Sequence, residues 1–357
     1  MVDYYIGDYD RINEMARTVR LYNDSSPLVA ADPVERSEII AGVDTSDRRE
    51  GGQAYFLYLK RHNRTFGVKM FKNDTTSPAD RVRRAKCIRS ALEVLSRMEY
   101  RSTRTLLLFN LLNVPMQYVN DPDGGLAGLI VPILPDSCHI EVERMGRRSS
   151  RDVLIGNIVS DRHLIPSRTG SANDPLPPNA KWSFLSSFCE AISFLHELGL
   201  IHADISSNNV FVRWAESDDP KAYVIDAFNG FSTTGGNREL KGMRSDVFCP
   251  QSFRLGEYTP ATDVYCLAWW IVHIAVTADP IGAKLPRPSM RDAADEADVL
   301  YLRHRYVVEG LDLGRKNLSR DLLSILKEAL QEQPASRPSS RELANVVTEH
   351  WLTCRGA

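Results

Sequence analysis

Residues 264–278, VYCLAWWIVHIAVTA, run for fifteen positions without a single Asp, Glu, Lys or Arg. A helix that is apolar on every side has to be enclosed. Fifteen residues fall short of the roughly 20 needed to cross a bilayer, so this stretch reads as the central helix of a protein core and no membrane is expected as a partner. Enclosing it takes a large chain. The 357 residues allow two domains or one large bilobal one at roughly 100–200 residues per domain. With 43% hydrophobic and 25% charged residues, the composition is that of a folded globular protein and excludes a mostly disordered chain. Lys and Arg number 44 against 46 Asp and Glu, a formal charge of −2. No net basic field exists to release counterions, so nucleic acid is not expected as the main partner. The six cysteines are scattered, the nearest two (Cys249 and Cys266) being seventeen positions apart. Zinc spacing and a disulfide framework are absent, which points to a reducing compartment. The N-terminus mixes charges from Asp3 onward and reads as no signal peptide, so a cytoplasmic location is expected.

Along the chain, residues 1–34 read as an N-terminal extension, with Ile12, Met15 and Val19 spaced for a short amphipathic helix. QAYFLYLKR and TFGVKMFK read as a strand hairpin around HNR, preceded by Gly51 and Gly52. Residues 78–98 turn helical: Ser77 is placed to cap, and Ile88, Leu92 and Leu95 form one apolar face. RTLLLFNLLNVPMQYV and GLIVPIL return to strand character, split by the turn DPDGG. SRTGSANDPLPPNA (167–180) is linker-like, and WSFLSSFCEAISFLHELG is a helix closed by Gly199. Short strands follow around IHADI, NNVFV and AYVIDAF, and from 262 the chain is mainly helical. Strands with one helix first, then mostly helices, is α+β organisation in two lobes. The basic runs RVRRAKCIR (81–89) and RMGRRSSR (144–151) read as solvated faces.

The stretch that carries chemistry is His202-Ala203-Asp204-Ile205-Ser206-Ser207-Asn208-Asn209, with Asp226 seventeen residues after Asn209 at the end of AYVID. A carboxylate and an amide five residues apart on a loop suit phosphoryl transfer: Asp204 can orient an acceptor hydroxyl and accept its proton, while the amide oxygen of Asn209 can hold Mg²⁺. Asp226, leaving a buried strand, supplies the hard oxygen ligand such an ion requires. Lys69, an ammonium inside an apolar strand, is placed to neutralise phosphate, since burying it for any lesser reason is costly. His202 reads as a packed structural histidine.

Taken together, these residues resemble the protein-kinase superfamily, and in wording (HADISSNNVFV, DVYCLAWW) its divergent bacterial eukaryotic-like serine/threonine kinases. His-x-Asp-x-x-x-x-Asn is similar to the catalytic loop, Val-Lys in FGVKMFK to the phosphate-anchoring strand, and Val-Ile-Asp to the magnesium-binding strand. TPATDVYCLAWW, with Asp263 at its start, and EALQEQPASRPSSRELANVV, around Arg337-Pro338, resemble helices of the kinase large lobe. The resemblance covers about residues 36–352. It implies a bilobal fold with a small lobe over 35–134 and a large lobe over 135–357, the latter carrying an insertion at about 139–180. It also implies ATP and Mg²⁺ as cofactors and a protein substrate. By the same resemblance Asp204 is the base and Asn209 and Asp226 are the metal ligands. Lys69 contacts the α- and β-phosphates, and Glu93 on the helix 78–98 is its partner. Gly51 and Gly52 begin the loop over the phosphates, although the pair also suits a plain hairpin turn. Pro132, one past the gatekeeper position Val131, offers adenine a carbonyl, and Leu134 offers its N–H.

Departures from the pattern bear on regulation and substrate. The arginine that precedes the catalytic aspartate and reads an activation-loop phosphate is Ala203 here, so loop phosphorylation at Ser232, Thr233 or Thr234 is not expected to be the switch. Ser206 replaces the lysine two residues after the aspartate, Asp226-Ala227-Phe228 replaces Asp-Phe-Gly, and Cys249-Pro250-Gln251 replaces Ala-Pro-Glu, leaving Arg337 without its usual acidic partner. The leading reading is an enzyme that moves the ATP γ-phosphate to a protein serine or threonine. Two alternatives stand beside it: a small-molecule phosphotransferase of the aminoglycoside or choline type, and a pseudokinase serving as a nucleotide-binding scaffold.

Overall fold

Period-two patterning in AYFLYLKR and RTFGVKMF builds the centre of a six-stranded sheet. The computed structural model describes residues 32–50, 54–61, 64–72, 77–97, 108–144, 147–152, 154–155, 178–213, 219–234, 237–238, 257–276, 296–315 and 318–356. β3 (Ala54–Arg61) and β4 (Arg64–Phe71) pair antiparallel from Ala54↔Phe71 to Arg61↔Arg64, as expected for the hairpin. β2 (Val43–Glu50) adds to β3 on one side; β6 (Leu126–Val131) and then β5 (Gln117–Asn120) add beyond β4, all antiparallel. The far edge is β1 (Val34–Glu35), parallel to β5 through Val34↔Val119 and Glu35↔Asn120. Residue 34 is thus part of the sheet rather than of an appendage. Gly51 and Gly52 lie outside the described residues.

Both faces of the sheet are covered. Val68 and Met70 point to an outer cluster with Val34, Val119, Ile130 and Ile39, the last on α1 (Arg36–Gly42). The other face packs on α2 (Pro78–Arg97), whose Ile88, Leu92 and Leu95 are fully enclosed. Ser77 caps α2: its Oγ accepts from Asp80 N at 3.2 Å and donates to Asp80 Oδ2 at 2.7 Å. The strand expected across 104–119 is only partly present, because residues 108–111 are helical and the strand is Gln117–Asn120. Leu108, Leu111 and Leu112 are buried at i, i+3 and i+4, and leucine, unbranched at Cβ, fits a helical turn at that spacing better than β-branched residues do.

Beyond β6 the chain forms a hairpin, β7 (His139–Arg144) with β8 (Arg147–Asp152), inside the expected insertion. α3 (Pro178–Glu197) ends at Gly199, whose φ of +79° suits glycine. Then come β9 (Leu200–Ile201), β10 (Val210–Arg213), β11 (Lys221–Val224), β12 (Phe231–Ser232), β13 (Asn237–Arg238) and β14 (Glu257–Tyr258), in antiparallel pairs β10–β11, β9–β12 and β13–β14. The apolar run begins on α4 (Pro260–Ile271), buried from Thr262 through Ile271 and steadied at its start by Thr262 Oγ1 accepting from Thr259 N at 3.2 Å, and goes on through a π-helical turn, Val272–Val276. α5 (Glu296–Gly314), α6 (Arg320–Ala329) and α7 (Ser340–Gly356) complete the described chain, with α7 packed along α3. Among the described residues no helix is long and apolar enough to cross a membrane. The fold is mixed α/β, a small sheet followed by several helices, and is compatible with a bilobal kinase-like arrangement.

Candidate active site

Strand alternation decides which way Lys69 faces. Val68 and Met70 belong to the outer cluster, so Lys69, Gly67 and Phe71 share the opposite face of β4. There Lys69 Nζ forms an ion pair with Asp226 Oδ1 at 2.9 Å, donates to Asn229 Oδ1 at 3.4 Å and stands 5.4 Å from the centre of the Phe71 ring. Phe56, the cross-strand partner of Lys69, lays its ring over Gly67. A Cβ on Gly67 would come within 2.3 Å of that ring, so the glycine makes room for an aromatic surface beside the ammonium.

Asp204 and Asn209 come from the loop between β9 and β10. The Asn209 side-chain nitrogen donates to the Asp204 carbonyl oxygen at 2.9 Å and to Asp204 Oδ2 at 3.0 Å. The second carboxylate oxygen, Asp204 Oδ1, is buried with no hydrogen-bond partner among the described residues, an open acceptor of the kind a substrate hydroxyl could fill. Burial pushes the Asp204 carboxyl above the usual aspartate range and the neighbouring Asp226 adds to this, partly offset by His202, by Lys69 and by the hydrogen bond from Asn209. His202 is fully buried and structural: its Nδ1 accepts from Asp204 N at 3.2 Å, and its Nε2 donates to Ile225 O at 3.0 Å.

Among the described residues only Ala203 (φ +62°) and Asp226 (φ +57°) adopt left-handed backbone without being glycine. Such conformations persist where surroundings over-determine them. For Ala203 the constraint is Asp263, on α4 and 1% exposed. Its Oδ1 accepts from Ala203 N at 2.9 Å, and its Oδ2 accepts from His202 N at 2.7 Å while lying 3.0 Å from His196 Nε2. Ser340 Oγ lies 2.8 Å from His196 Nδ1. Ser340–His196–Asp263 has the connectivity of a hydrolytic relay, but Ser340 is buried and Asp263 is committed to backbone N–H groups, so the chain works as a brace. For Asp226 the constraint is Asn229, whose Nδ2 donates to Asp226 O at 2.6 Å.

Glu93 does not reach this place. It is 39% exposed and pairs with Arg89 at 3.0 Å, one turn back on the outer side of α2. The helix residue facing the site is Arg84, nine positions earlier and so two and a half turns away, on the opposite side of the helix. Arg84 is buried, its Nε donates to the Asn229 carbonyl, and its guanidinium lies 4.9 Å and 5.5 Å from the Phe71 and Phe231 ring centres. Its place in the apolar stripe, four residues before Ile88, was the signal in the sequence. The rest of the 81–89 basic run is largely consumed by pairs: Arg81 with Asp121 and Asp123, Arg83 with Asp80, Arg89 with Glu93.

Pro132 follows directly on β6 and is buried, Ile133 is 43% exposed, and Leu134 packs with Cys138, Phe211 and Tyr223. The surroundings of Ala203 are apolar, a buried cluster of Ile201, Phe231, Tyr258 and Leu300. Arg337 donates to the carbonyls of Gln331 (2.8 Å), Ala261 (2.7 Å) and Glu332 (3.0 Å), and Cys249-Pro250-Gln251 lie outside the described residues.

The donor set suits magnesium. No group of three or more His, Cys, Asp or Glu that could hold a metal gathers among the described residues. One carboxylate (Asp226) and one amide oxygen (Asn209, whose nitrogen is taken by Asp204) are what an ion completed by water and phosphate oxygens requires.

No protein-family model matches the chain. Among curated proteins, the non-receptor tyrosine-protein kinase TNK1 of Mus musculus is 25% identical over 191 residues. The stretch takes in 50% of this chain and 25% of the mouse protein. The likeness is distant and kinase-like.

Proposed function

We propose that this chain is a bilobal, kinase-like enzyme that transfers the γ-phosphate of ATP to a hydroxyl on a protein, with serine or threonine as the acceptor. The observation that carries the reading is the direct contact of Lys69 with Asp226 at 2.9 Å, beside an Asp204 carboxyl that feels the charges of both. Residues 35–134 would form the small lobe and 135–357 the large one, with 1–34 as an extension whose last residue, Val34, joins the sheet in β1, and about 139–180 as an insertion, in a cytoplasmic protein.

Asp226 and Asn209 would hold magnesium, which when bound would supply charge neutralisation on the phosphates. Lys69 exchanges one partner for another, passing from the Asp226 carboxylate to phosphate oxygens. Asp204 Oδ1 accepts the hydrogen bond of the incoming hydroxyl and takes its proton as the oxygen bonds to phosphorus and the bond to the ADP oxygen breaks. Asn209 holds the Asp204 carboxylate through Oδ2 and so leaves Oδ1 as the reacting edge. The work is mostly orientation and charge placement. Phe56 over Gly67 and the Pro132–Leu134 segment would line the base-binding end.

The test is transfer from γ-labelled ATP with Mg²⁺ by the wild type, Asp204→Ala and Lys69→Ala, offered peptides carrying Ser and Thr, peptides carrying only Tyr, and an aminoglycoside and amino-alcohol panel. Transfer to Ser/Thr peptides that both substitutions abolish is expected. Labelling confined to the Tyr peptides, as the mouse relative's name would suggest, overturns the acceptor assignment; labelling confined to small molecules overturns the protein-substrate assignment. Wild type that binds Mg-ATP and transfers to nothing overturns catalysis.

A further inference from the structure

Removing Glu93 from the site leaves open what holds Lys69 besides Asp226, and what ties α2 to the site. Both answers meet at Asn229, which is buried. Its Oδ1 accepts from Lys69 Nζ at 3.4 Å, its Nδ2 donates to Asp226 O at 2.6 Å, and its backbone carbonyl accepts from Arg84 Nε. One residue thus touches the phosphate-side cation, the backbone of the metal-side carboxylate and the helix. Burial lowers the Arg84 pKa to about 10, which leaves the guanidinium charged at neutral pH. A charge so enclosed needs partners, and the Asn229 carbonyl with the faces of Phe71 and Phe231 provides them. The next residue, Gly230, lies against the backbone of Arg84, with no space for a side chain between helix and loop. Farther along the helix face, Arg81 ties α2 to the β5–β6 turn through Asp121 at 2.8 Å and Asp123 at 3.1 Å.

We propose that Asn229, in place of a helix carboxylate, is the residue that positions Lys69, and that Arg84 couples it to α2. For its catalytic consequence the inference rests on the phosphotransferase reading above; the arrangement itself does not. Helix docking then comes from a cation donating to a loop carbonyl.

The test uses the full chain carrying Asn229→Ala, Asn229→Asp, Arg84→Met or Glu93→Gln. The first readout needs no nucleotide: the rate at which an amine-reactive acetyl ester labels Lys69, followed by peptide mass spectrometry. Asn229→Ala should label about threefold faster, a modest factor because a 3.4 Å contact is at the weak end of hydrogen bonding. Asn229→Asp, isosteric and anionic, should label more slowly than wild type; Arg84→Met should label faster, and Glu93→Gln should match wild type. A purely structural role would not produce opposite signs for the two Asn229 variants. Equal labelling in all variants, or a change confined to Glu93→Gln, overturns the proposal. The second readout is transfer kinetics, where Asn229→Ala should raise the KM for ATP more than it lowers kcat. If the wild type neither binds nor turns over ATP while the labelling order holds, the phosphotransferase reading falls and the positioning assignment stands.

Discussion

Gly230 offers a test of the helix-to-loop contact with its own internal standard. Its φ is +78°, and a Cβ there would lie 2.7 Å from Arg84 Cβ, 2.9 Å from Arg84 O and 3.0 Å from Arg84 Cα. The obstruction is largely backbone and cannot rotate away. Gly199, at the end of α3, has nearly the same φ of +79°, yet nothing lies within 4 Å of its added Cβ. Gly199→Ala therefore meets only the left-handed backbone penalty, about 1–2 kcal/mol. Gly230→Ala meets that penalty plus the overpacking of helix against loop, about 1–3 kcal/mol more. With a urea m-value of about 3 kcal/mol/M, the midpoint should fall by roughly 0.5 M for Gly199→Ala and roughly 1 M for Gly230→Ala. The second readout is nucleotide protection: Gly230→Ala pushes on the segment that carries Asn229 and Asp226, so the thermal stabilisation by Mg-ATP should shrink, whereas Gly199→Ala should keep it. Equal urea midpoints for the two variants would refute the close approach of Arg84 and, with it, the packing on which the helix docking depends.

Three further outcomes follow from the site. Asp263→Asn places an amide nitrogen against a backbone N–H in a fully buried position, which should cost about 2–4 kcal/mol; transfer should be lost even where circular dichroism shows the protein folded, and retained activity would remove Asp263 as the brace of the Ala203 backbone. Ala203→Arg drives a guanidinium into the Ile201, Phe231, Tyr258 and Leu300 cluster, with an expected loss of about 3 kcal/mol or more; phosphatase treatment of the wild type should leave its activity unchanged, and a fully stable variant would show that the pocket is polar after all. Asp204 carries a raised folded-state pKa, so the fold binds its proton more readily than the unfolded chain does. Its contribution is complete below the ordinary aspartate pKa and is lost as pH rises through the raised value. Asp204→Asn should accordingly be inactive yet more stable than wild type at pH 7, with the gain vanishing as pH falls below the ordinary aspartate range; identical urea midpoints at pH 7 would contradict the assigned burial.

The residues proposed to carry the chemistry stand out in the sequence because their types are costly to place anywhere else: an ammonium inside an apolar strand, a carboxylate ending another, and an Asp and Asn five apart on a short loop. α2 and α4 were legible from periodicity and from an unbroken apolar run. What the sequence obscured has two physical causes. Glu93 stands out by residue type alone, whereas its helical phase puts it on the outer face. Arg84 lies in phase with Ile88, Leu92 and Leu95, but a cation in an apolar stripe declares itself only once Phe71, Phe231 and the Asn229 carbonyl are brought around it from distant segments. Asn229 was hidden for a similar reason, since a loop asparagine has many ordinary uses and its value here comes from what the fold sets beside it. The leucine run before β5 misled because its hydrophobicity suited a strand while its spacing suited a turn of helix.

The strand Val34–Glu35 has a consequence for how this protein meets others. Lying parallel to β5, it reduces one side of the sheet to a two-residue edge strand, so among the described residues the longer edge is β2. That margin reads VDTSDRRE, five formal charges in eight residues, and its register with β3 slips between Asp44 and Arg49. Charge and irregular pairing are what discourage one exposed strand from recruiting another. Extension of the sheet by another strand is thus discouraged at both edges, at one by the shortness of β1 and at the other by the charge and irregular pairing of β2.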